Sequence, residues 1–390
     1  MLALLARRFG DLDLADEAVQ DALLSAVADW PAKGIPDNPA AWLYTVARNG
    51  AVDRLRRVAS ARRRLAESAH ELTAEWEEAE EGDMIIDNST VGDEQLRLML
   101  LCCHPALDRD AQVALTLRLV GGLSTPEIAA AYLVPEATLA QRIVRAKRKI
   151  REAGIPLSIP AALDERVDAL LAVLYLVFNE GYLARGESDA ATRIDLADEA
   201  IRLTQLAVAL LPENPEVEGL LALESFHRAR ISARTASGEL VLLEDQDRTA
   251  WDLALIGDAN ALLAAAMRRM RPGSYQLQAL IAAHHANART AADTDWSAIA
   301  GHYAQLAQMT NNPVVELNRA VAVAMADGPM AGLALLDGIE GLGHYHLLHS
   351  TRGELQLRAG LPARESFERA LALVANAAER RHLERRLDSL

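Results

Sequence analysis

The chain has 390 residues, 51% of them apolar and only 4% aromatic, with two cysteines and a formal net charge of −15. That length allows two or three domains with separate cores and excludes a small scaffold held by disulfides or metal. Alanine- and leucine-rich segments of helical periodicity predict an all-α protein. The lack of any run of eighteen apolar residues predicts a cytoplasmic chain without a membrane partner.

The negative total conceals two basic blocks. Residues 1–157 hold 19 Lys and Arg against 24 Asp and Glu, a net of −5, which leaves −10 for the remainder. Residues 48–64 nevertheless contain seven arginines against Asp53, a net of +6, and residues 142–151 carry +6 with no acid. Binding depends on the local field at the contact surface, so the acidic total restrains non-specific nucleic-acid binding without preventing specific contact.

The first predicted helix follows Asp13. It puts Val19, Leu23, Ala26, Val27 and Trp30 on one face and Asp16, Glu17, Gln20 and Asp21 on another. Three prolines and a glycine between Trp30 and Pro39 prevent continuous helix there. A second helix over Ala40–Arg57 carries Trp42, Val46 and Asn49 in one row and ends in Arg54, Arg56 and Arg57, which sets aromatic and cationic groups side by side. Residues 67–83 hold eight acids and read as a linker, either solvated or lying along a basic channel of a partner as a nucleic-acid mimic.

The next compact unit runs from Leu96 to Gly154. The adjacent Cys102 and Cys103 predict a buried structural pair rather than a disulfide, and His104 has no second ligand pair at zinc spacing. Ser124 and Glu127 have capping-box spacing, with Pro126 early in the helix that follows. Pro135 disfavours helix at Val134 and can open a second helix, in which Leu139, Ile143, Ala146 and Ile150 form a core-facing stripe. The other faces carry Arg142, Arg145, Lys147, Arg148, Lys149 and Arg151. A helix-turn-helix of this kind would place Glu136, Ala137, Thr138, Ala140 and Gln141 at base edges and its cations at phosphates. The bland alternative is a solvated basic helix closing a bundle.

From Asp164 onward the chain reads as helical pairs, with Pro212, Pro215, Pro272, Pro313 and Pro362 near helix starts. Leu355–Leu373, with Gly360, Phe367 and Ala370, resembles a tetratricopeptide hairpin, although no clean 34-residue period runs through the tail. Polar residues set among apolar ones here, including His227, Arg230, Arg248, Trp251, Asp252, His284, Asp295 and Trp296, predict caps and core-polar groups. His344, His346 and His349 lack the spacing of a metal site.

Asp13–Ala26, Asn38–Asn49 running on to Val52–Arg57, and the helix-turn-helix together resemble regions 2 and 4 of the extracytoplasmic-function sigma factors of bacterial RNA polymerase. Leu98–Gln112, Val134–Thr138 and Tyr175–Tyr182 are similar to the subgroup with a tetratricopeptide-like C-terminal extension. The resemblance covers the whole chain. It implies region 2 at 1–60, an acidic linker at 61–92, region 4 at 93–157 and a helical extension at 158–390. It also implies partners: promoter DNA and polymerase core, the latter through the clamp helices of the largest subunit and the flap, and an extension that contacts the sigma domains and regulates them.

Carried onto this sequence, Asp16, Glu17, Gln20 and Asp21 would dock on polymerase. Lys33 to Asn38 would border a flipped base, and Trp42, Thr45, Arg48, Asn49, Arg54, Arg56 and Arg57 would read and melt the downstream element. Thr125, Glu136, Ala137, Thr138, Ala140, Gln141, Arg142, Arg145, Lys147 and Arg148 would bind the upstream element. Region 2 starts almost at its first helix, and Tyr132-Leu133 stands where the family has a Leu-Gly turn. No nucleophile elbow, phosphate loop or zinc-peptidase motif is present, so no enzyme, cofactor or metal is expected. The competing readings are a stand-alone helix-turn-helix regulator with a repeat sensor domain, which has no use for the Trp42–Arg57 helix, and a repeat scaffold with incidental basic patches.

Overall fold

A computed structural model describes residues 1–65, 88–132, 134–158, 163–182, 190–236, 239–374 and 377–390. The acidic stretch 67–83, Leu133 and residues 159–162 lie outside the described residues. The chain forms two compact units, Met1–Val173 and Leu174–Leu390.

The first unit opens with α1 (Leu2–Phe9), α2 (Leu12–Lys33) and α3 (Pro39–Leu65). Asp11 caps α2, its carboxylate accepting from the amides of Asp13 at 2.8 Å and Leu14 at 3.1 Å, which satisfies two amides that have no partner within the helix. The buried face of α2 is Leu14, Ala15, Ala18, Ala22 and Ala26, packed on Leu4 and Leu5 of α1 and on Tyr44, Ala47 and Ala51 of α3. Alanines at spacings of three and four let the helix axes approach closely. The row of Val19, Leu23, Ala26, Val27 and Trp30 does not supply this core as a whole, because Leu23 and Val27 lie outside it at 46% and 74% exposure. Helix α2 also continues through Pro31 to Lys33, and α3 runs on to Leu65, beyond the expected Arg57.

Helices α4 (Asn88–Cys102), α5 (Arg109–Leu115), α6 (Thr125–Ala131) and α7 (Glu136–Glu152) follow, with a π-helical turn over Thr116–Val120. Ser124 and Glu127 make the predicted capping box: Glu127 Oε2 accepts from the Ser124 amide at 2.7 Å, and Ser124 Oγ accepts from the Glu127 amide at 3.4 Å. Leu139, Ile143, Ala146 and Ile150 are buried as the spacing requires. Cys102 and Cys103 are free and buried; burial pushes both thiols up, Cys103 to about 12, so neither is a ready nucleophile.

Helix α8 (Leu163–Tyr182) begins in the first unit, where Arg109 donates to the Ala169 carbonyl at 3.2 Å, and ends in the second. The second unit continues with α9 (Ala190–Leu210), α10 (Pro215–Arg228), α11 (Leu253–Arg268), α12 (Ser274–Asn287), α13 (Trp296–Thr310), α14 (Pro313–Asp327), α15 (Pro329–Asp337), α16 (His346–Arg358), α17 (Arg364–Leu373) and α18 (Ala377–Asp388). Its cores form in series: α10 with α11 and α12, then α12 with α13 and α14, α14 with α15 and α16, and α17 with α18. Such serial packing lets each helix bury its apolar face on near neighbours in sequence. Pro215, Pro313 and Pro329 occupy first helical turns, where a missing N–H costs nothing. The described residues are helical throughout, as an all-α reading expects, apart from one two-residue ladder in which Thr235–Ala236 pairs antiparallel with Glu239–Leu240 and from the connecting turns.

Candidate polymerase and nucleic-acid interfaces

Three surfaces of the first unit carry the residues singled out by sequence. The first is the outer stripe of α2. Glu17, Gln20 and Asp21 are exposed, and helical spacing continues their row into Leu24 and Val27, exposed at 68% and 74%. The row is acidic at one end and apolar at the other, a character that suits contact with protein more than with phosphate. By sequence Val27 groups with Val19 and Trp30 on one face, and Leu24 falls in no row that the periodicity singles out.

Asp16 departs from this row and is only 9% exposed. Its carboxylate accepts from Gln20 Nε2 at 3.1 Å, from Lys147 Nζ at 2.8 Å, and pairs with Arg118 at 3.6 Å. Asp13, one turn earlier, pairs with Lys147 at 3.4 Å and Arg151 at 3.1 Å. The sequence sorted acids and cations onto separate helices but gave no sign that they meet.

The second surface lies on α3. Trp42, Thr45, Asn49 and Arg56 follow one another at helical spacing, with Thr45, Asn49 and Arg56 exposed and Trp42 half-buried. Trp30 of α2 packs edge-on against Trp42 with ring centroids 5.6 Å apart, an arrangement that fixes the Trp42 plane. Arg48 donates to the Asn49 side chain at 3.0 Å, and Arg57 to the Asp53 carbonyl at 3.4 Å. Arg54 does not join this stripe; it pairs with Glu17 at 2.5 Å and Asp21 at 4.0 Å across the α2 boundary. Two loop residues have local roles as well: Asn38 caps α3 by accepting from the Ala41 amide at 3.0 Å, and Lys33 pairs with Asp29 at 3.0 Å.

The third surface is α7. Glu136, Ala137, Thr138, Gln141, Arg145 and Arg148 are exposed, with Val144 among them at 62% exposure. Thr125 at the start of α6 and Ala140 are half-buried. Two assigned cations face elsewhere. Arg142 pairs with Asp110 at 3.1 Å, and Lys147 is 7% exposed and held by Asp13 and Asp16. Lys147 therefore leaves the phosphate-binding set: its place on the helix is beside the Ala146 and Ile150 core stripe, whereas Arg145 and Arg148 lie on the opposite flank.

Comparison with known proteins bears directly on these surfaces. Residues 1–80 match Sigma-70 region 2, and residues 97–150 match Sigma-70, region 4. The chain carries sigma-70 regions 2 and 4. The two sigma-70 regions imply interaction with RNA polymerase core and promoter DNA. An uncharacterized protein of Rhizobium meliloti (strain 1021) is 45% identical over 394 residues, covering 99% of this chain and 92% of that protein, so the sigma-70 regions and the tail recur together in one family. Residues 166–267 match a family of unknown function (DUF6596). No solved structure matches the chain.

Asp252 and Asp295 cap α11 and α13, as sequence predicted. Arg248 donates to the carbonyls of His285 and Ala288 at 2.8 and 2.7 Å and lies 4.5 Å from the Trp251 ring centre. A cavity of about 380 Å³ opens beside α16 and α18, floored by Val321, Leu355 and Phe367. Around it Glu354 pairs with Arg386, His346 Nε2 lies 3.1 Å from Glu379 and Arg358 lies 3.7 Å from Glu244. Among the described residues no group of three His, Cys, Asp or Glu is placed to hold a metal ion, and no helix is long and apolar enough to cross a membrane.

Proposed function

We propose that this chain is a promoter-specificity subunit of bacterial RNA polymerase, of the extracytoplasmic-function type, acting in the cytoplasm without catalytic chemistry of its own. The observation that carries the reading is the coincidence of two sigma-70 regions with two separate exposed basic stripes. Region 2 docks through Glu17, Gln20, Asp21, Leu24 and Val27 on the clamp helices of the largest subunit. Trp42, Thr45, Asn49 and Arg56 then hold and read the opened downstream element, since a base out of its stack needs an aromatic wall and a cationic rim. Thr138, Gln141, Arg145 and Arg148 read and grip the upstream element in the major groove. Serial helical packing in the tail supports a tetratricopeptide-like regulatory surface.

The test is transcription by purified bacterial core polymerase on a pool of random promoters, with and without the chain. New transcripts sharing two sequence elements are expected. Activity only after removal of the tail would assign the tail an inhibitory role. Silence from both forms, with duplex binding retained, would overturn the reading in favour of a stand-alone regulator.

A further inference from the structure

We propose that the cavity among α14, α16, α17 and α18 is a binding site for a small amphipathic carboxylate, with Arg358 receiving the acidic head. The site lies wholly within the second unit and does not depend on the sigma reading. Its volume of about 380 Å³ falls in the range of small-molecule pockets. Val321 and Met325 of α14, Leu347 and Leu355 of α16, Phe367 of α17 and Leu383 of α18 line it. Side chains of this kind favour an aliphatic or aromatic body.

The head is selected by the hydrogen bonds that Arg358 does not make. Its Nη1 donates to the Met325 thioether at 2.9 Å, and its Nη2 stands 3.7 Å from Glu244, beyond hydrogen-bond length. A thioether is a weak acceptor, whereas a guanidinium carries five N–H donors in a fork that matches a carboxylate. Arg386 has that match, since Glu354 accepts from its Nε at 2.6 Å and also from its Nη2. Arg358 does not have it among the described residues. Charge points the same way. Arg358, Arg381 and Arg385 line the cavity against Glu354 and Glu379, and Glu354 is already held by Arg386. Counting Arg386 and the outlying Glu244 as well, four arginines face three glutamates. A cationic surplus beside low-dielectric walls attracts an anion; an amine would be repelled, and an alcohol would leave the fork unfilled.

The full-length chain with isotopically labelled methionine methyl groups, read by NMR, provides the test. Octanoate, octan-1-ol and octylamine are the probes, which share one apolar body and differ in the head. Met325 lines the cavity and reports its occupancy, with its methyl assigned by Met325→Leu; Met270, 85% exposed, reports adsorption on the surface. Octanoate is expected to move the Met325 methyl with a Kd of about 1 mM or tighter. Octylamine should bind at least about tenfold more weakly, and Arg358→Gln should weaken octanoate about tenfold while leaving octan-1-ol within about twofold. A shift at Met270 without one at Met325, or no shift at either, overturns the site. Equal affinities for the three heads, or an octanoate affinity unchanged by Arg358→Gln, overturn the carboxylate assignment. Loss of octan-1-ol together with octanoate in Arg358→Gln would make the arginine part of the cavity wall and overturn its role as the receiving group.

Discussion

Arg54 on α3 reaches Glu17 on α2 at 2.5 Å, tying a residue of the basic run to the acidic docking row. Both side chains are about half exposed, so the pair contributes at most about 1 kcal/mol to stability. Its effect is positional: Arg54 is turned away from the Trp42 stripe, and Glu17 is held on the outer face of α2. Arg54→Ala should weaken polymerase binding or leave it unchanged while sparing the salt dependence of promoter opening. Arg56→Ala should lower that salt slope by about one, the signature of a lost phosphate contact. Promoter opening measured from 50 to 200 mM salt separates the two, and a slope lost with Arg54 instead would return it to the DNA-binding set.

Leu24 and Val27 are apolar yet exposed at 68% and 74%. Removing them uncovers no core. Leu24→Ser with Val27→Ser is expected to leave the thermal midpoint within about 2 °C of the parent, since surface changes of this kind cost under about 0.5 kcal/mol. Core polymerase binding should fall by about tenfold or more if these side chains seat in the partner. A lower midpoint with unchanged polymerase binding would place them in the fold instead.

On α7, phosphate and base contacts make different predictions. Arg148→Ala should weaken promoter binding evenly across sequences and reduce the salt slope by about one. Gln141→Ala should relax the preference at one upstream base pair, by about 1–3 kcal/mol of discrimination. Binding to a library of upstream elements at two salt concentrations measures both effects. A change in base preference from Arg148→Ala would exchange the assigned roles.

Much of this organisation was legible in the sequence because local physics dictated it. The Ser124–Glu127 box, the restart at Pro135 and the Leu139 to Ile150 stripe depend on residues within one or two helical turns, and each stands as the spacing requires. The face of α2 was not legible in the same way. Alanines at 15, 18, 22 and 26 compete with larger apolar residues at 19, 23 and 27, and the choice between the stripes is made by how closely α3 approaches. Arg54, Arg142 and Lys147 were assigned to DNA from the family resemblance and the charge of their helices; their partners Glu17, Asp110 and Asp16 come from other helices, at separations that no periodicity reports.

Close helix contact in the tail is tested at Gly332 in α15. A Cβ there would lie 2.5 Å from the Ala324 side chain and 2.7 Å from the Ala320 carbonyl oxygen, both on α14. The carbonyl is backbone and cannot rotate aside, so α14 and α15 would have to part. Gly332→Ala is expected to destabilise the second unit by about 1–3 kcal/mol, despite the better helix propensity of alanine. Gly257→Ala in α11, where an added Cβ meets nothing within 4 Å, is the control and should be neutral or stabilising. Calorimetry of the full chain compares the two.

The tail's pH response follows from groups buried in their neutral forms. Burial, with Arg230 and Arg248 nearby, lowers His285 to about 4, and burial with Arg230 lowers His227 well below the usual histidine range. Between about pH 6.5 and pH 4 the unfolded chain binds more protons at these sites than the folded one. Their contribution to stability is whole above about pH 6.5, is lost as the pH falls, and levels off below the folded values. For His285 the loss is about 3 kcal/mol at most, on about 1.4 kcal/mol per pH unit. Glu224 acts in the opposite direction. It is fully buried in α10, and burial raises its carboxyl well above the carboxylate range against the smaller opposing effect of the Thr204 hydroxyl. Its contribution is whole below about pH 4.3 and declines as rising pH ionises the unfolded chain first. Glu224→Gln keeps the shape and cannot ionise, so it should raise the unfolding midpoint of the second unit at pH 8 and change it little at pH 4. The parent should lose stability again between pH 6.5 and pH 5 as the histidines charge. Unfolding midpoints of both forms at pH 4, 5, 6.5 and 8 decide the matter: a Glu224→Gln gain that is equal at pH 4 and pH 8 would mean that the carboxyl is destabilising through its packing rather than its charge.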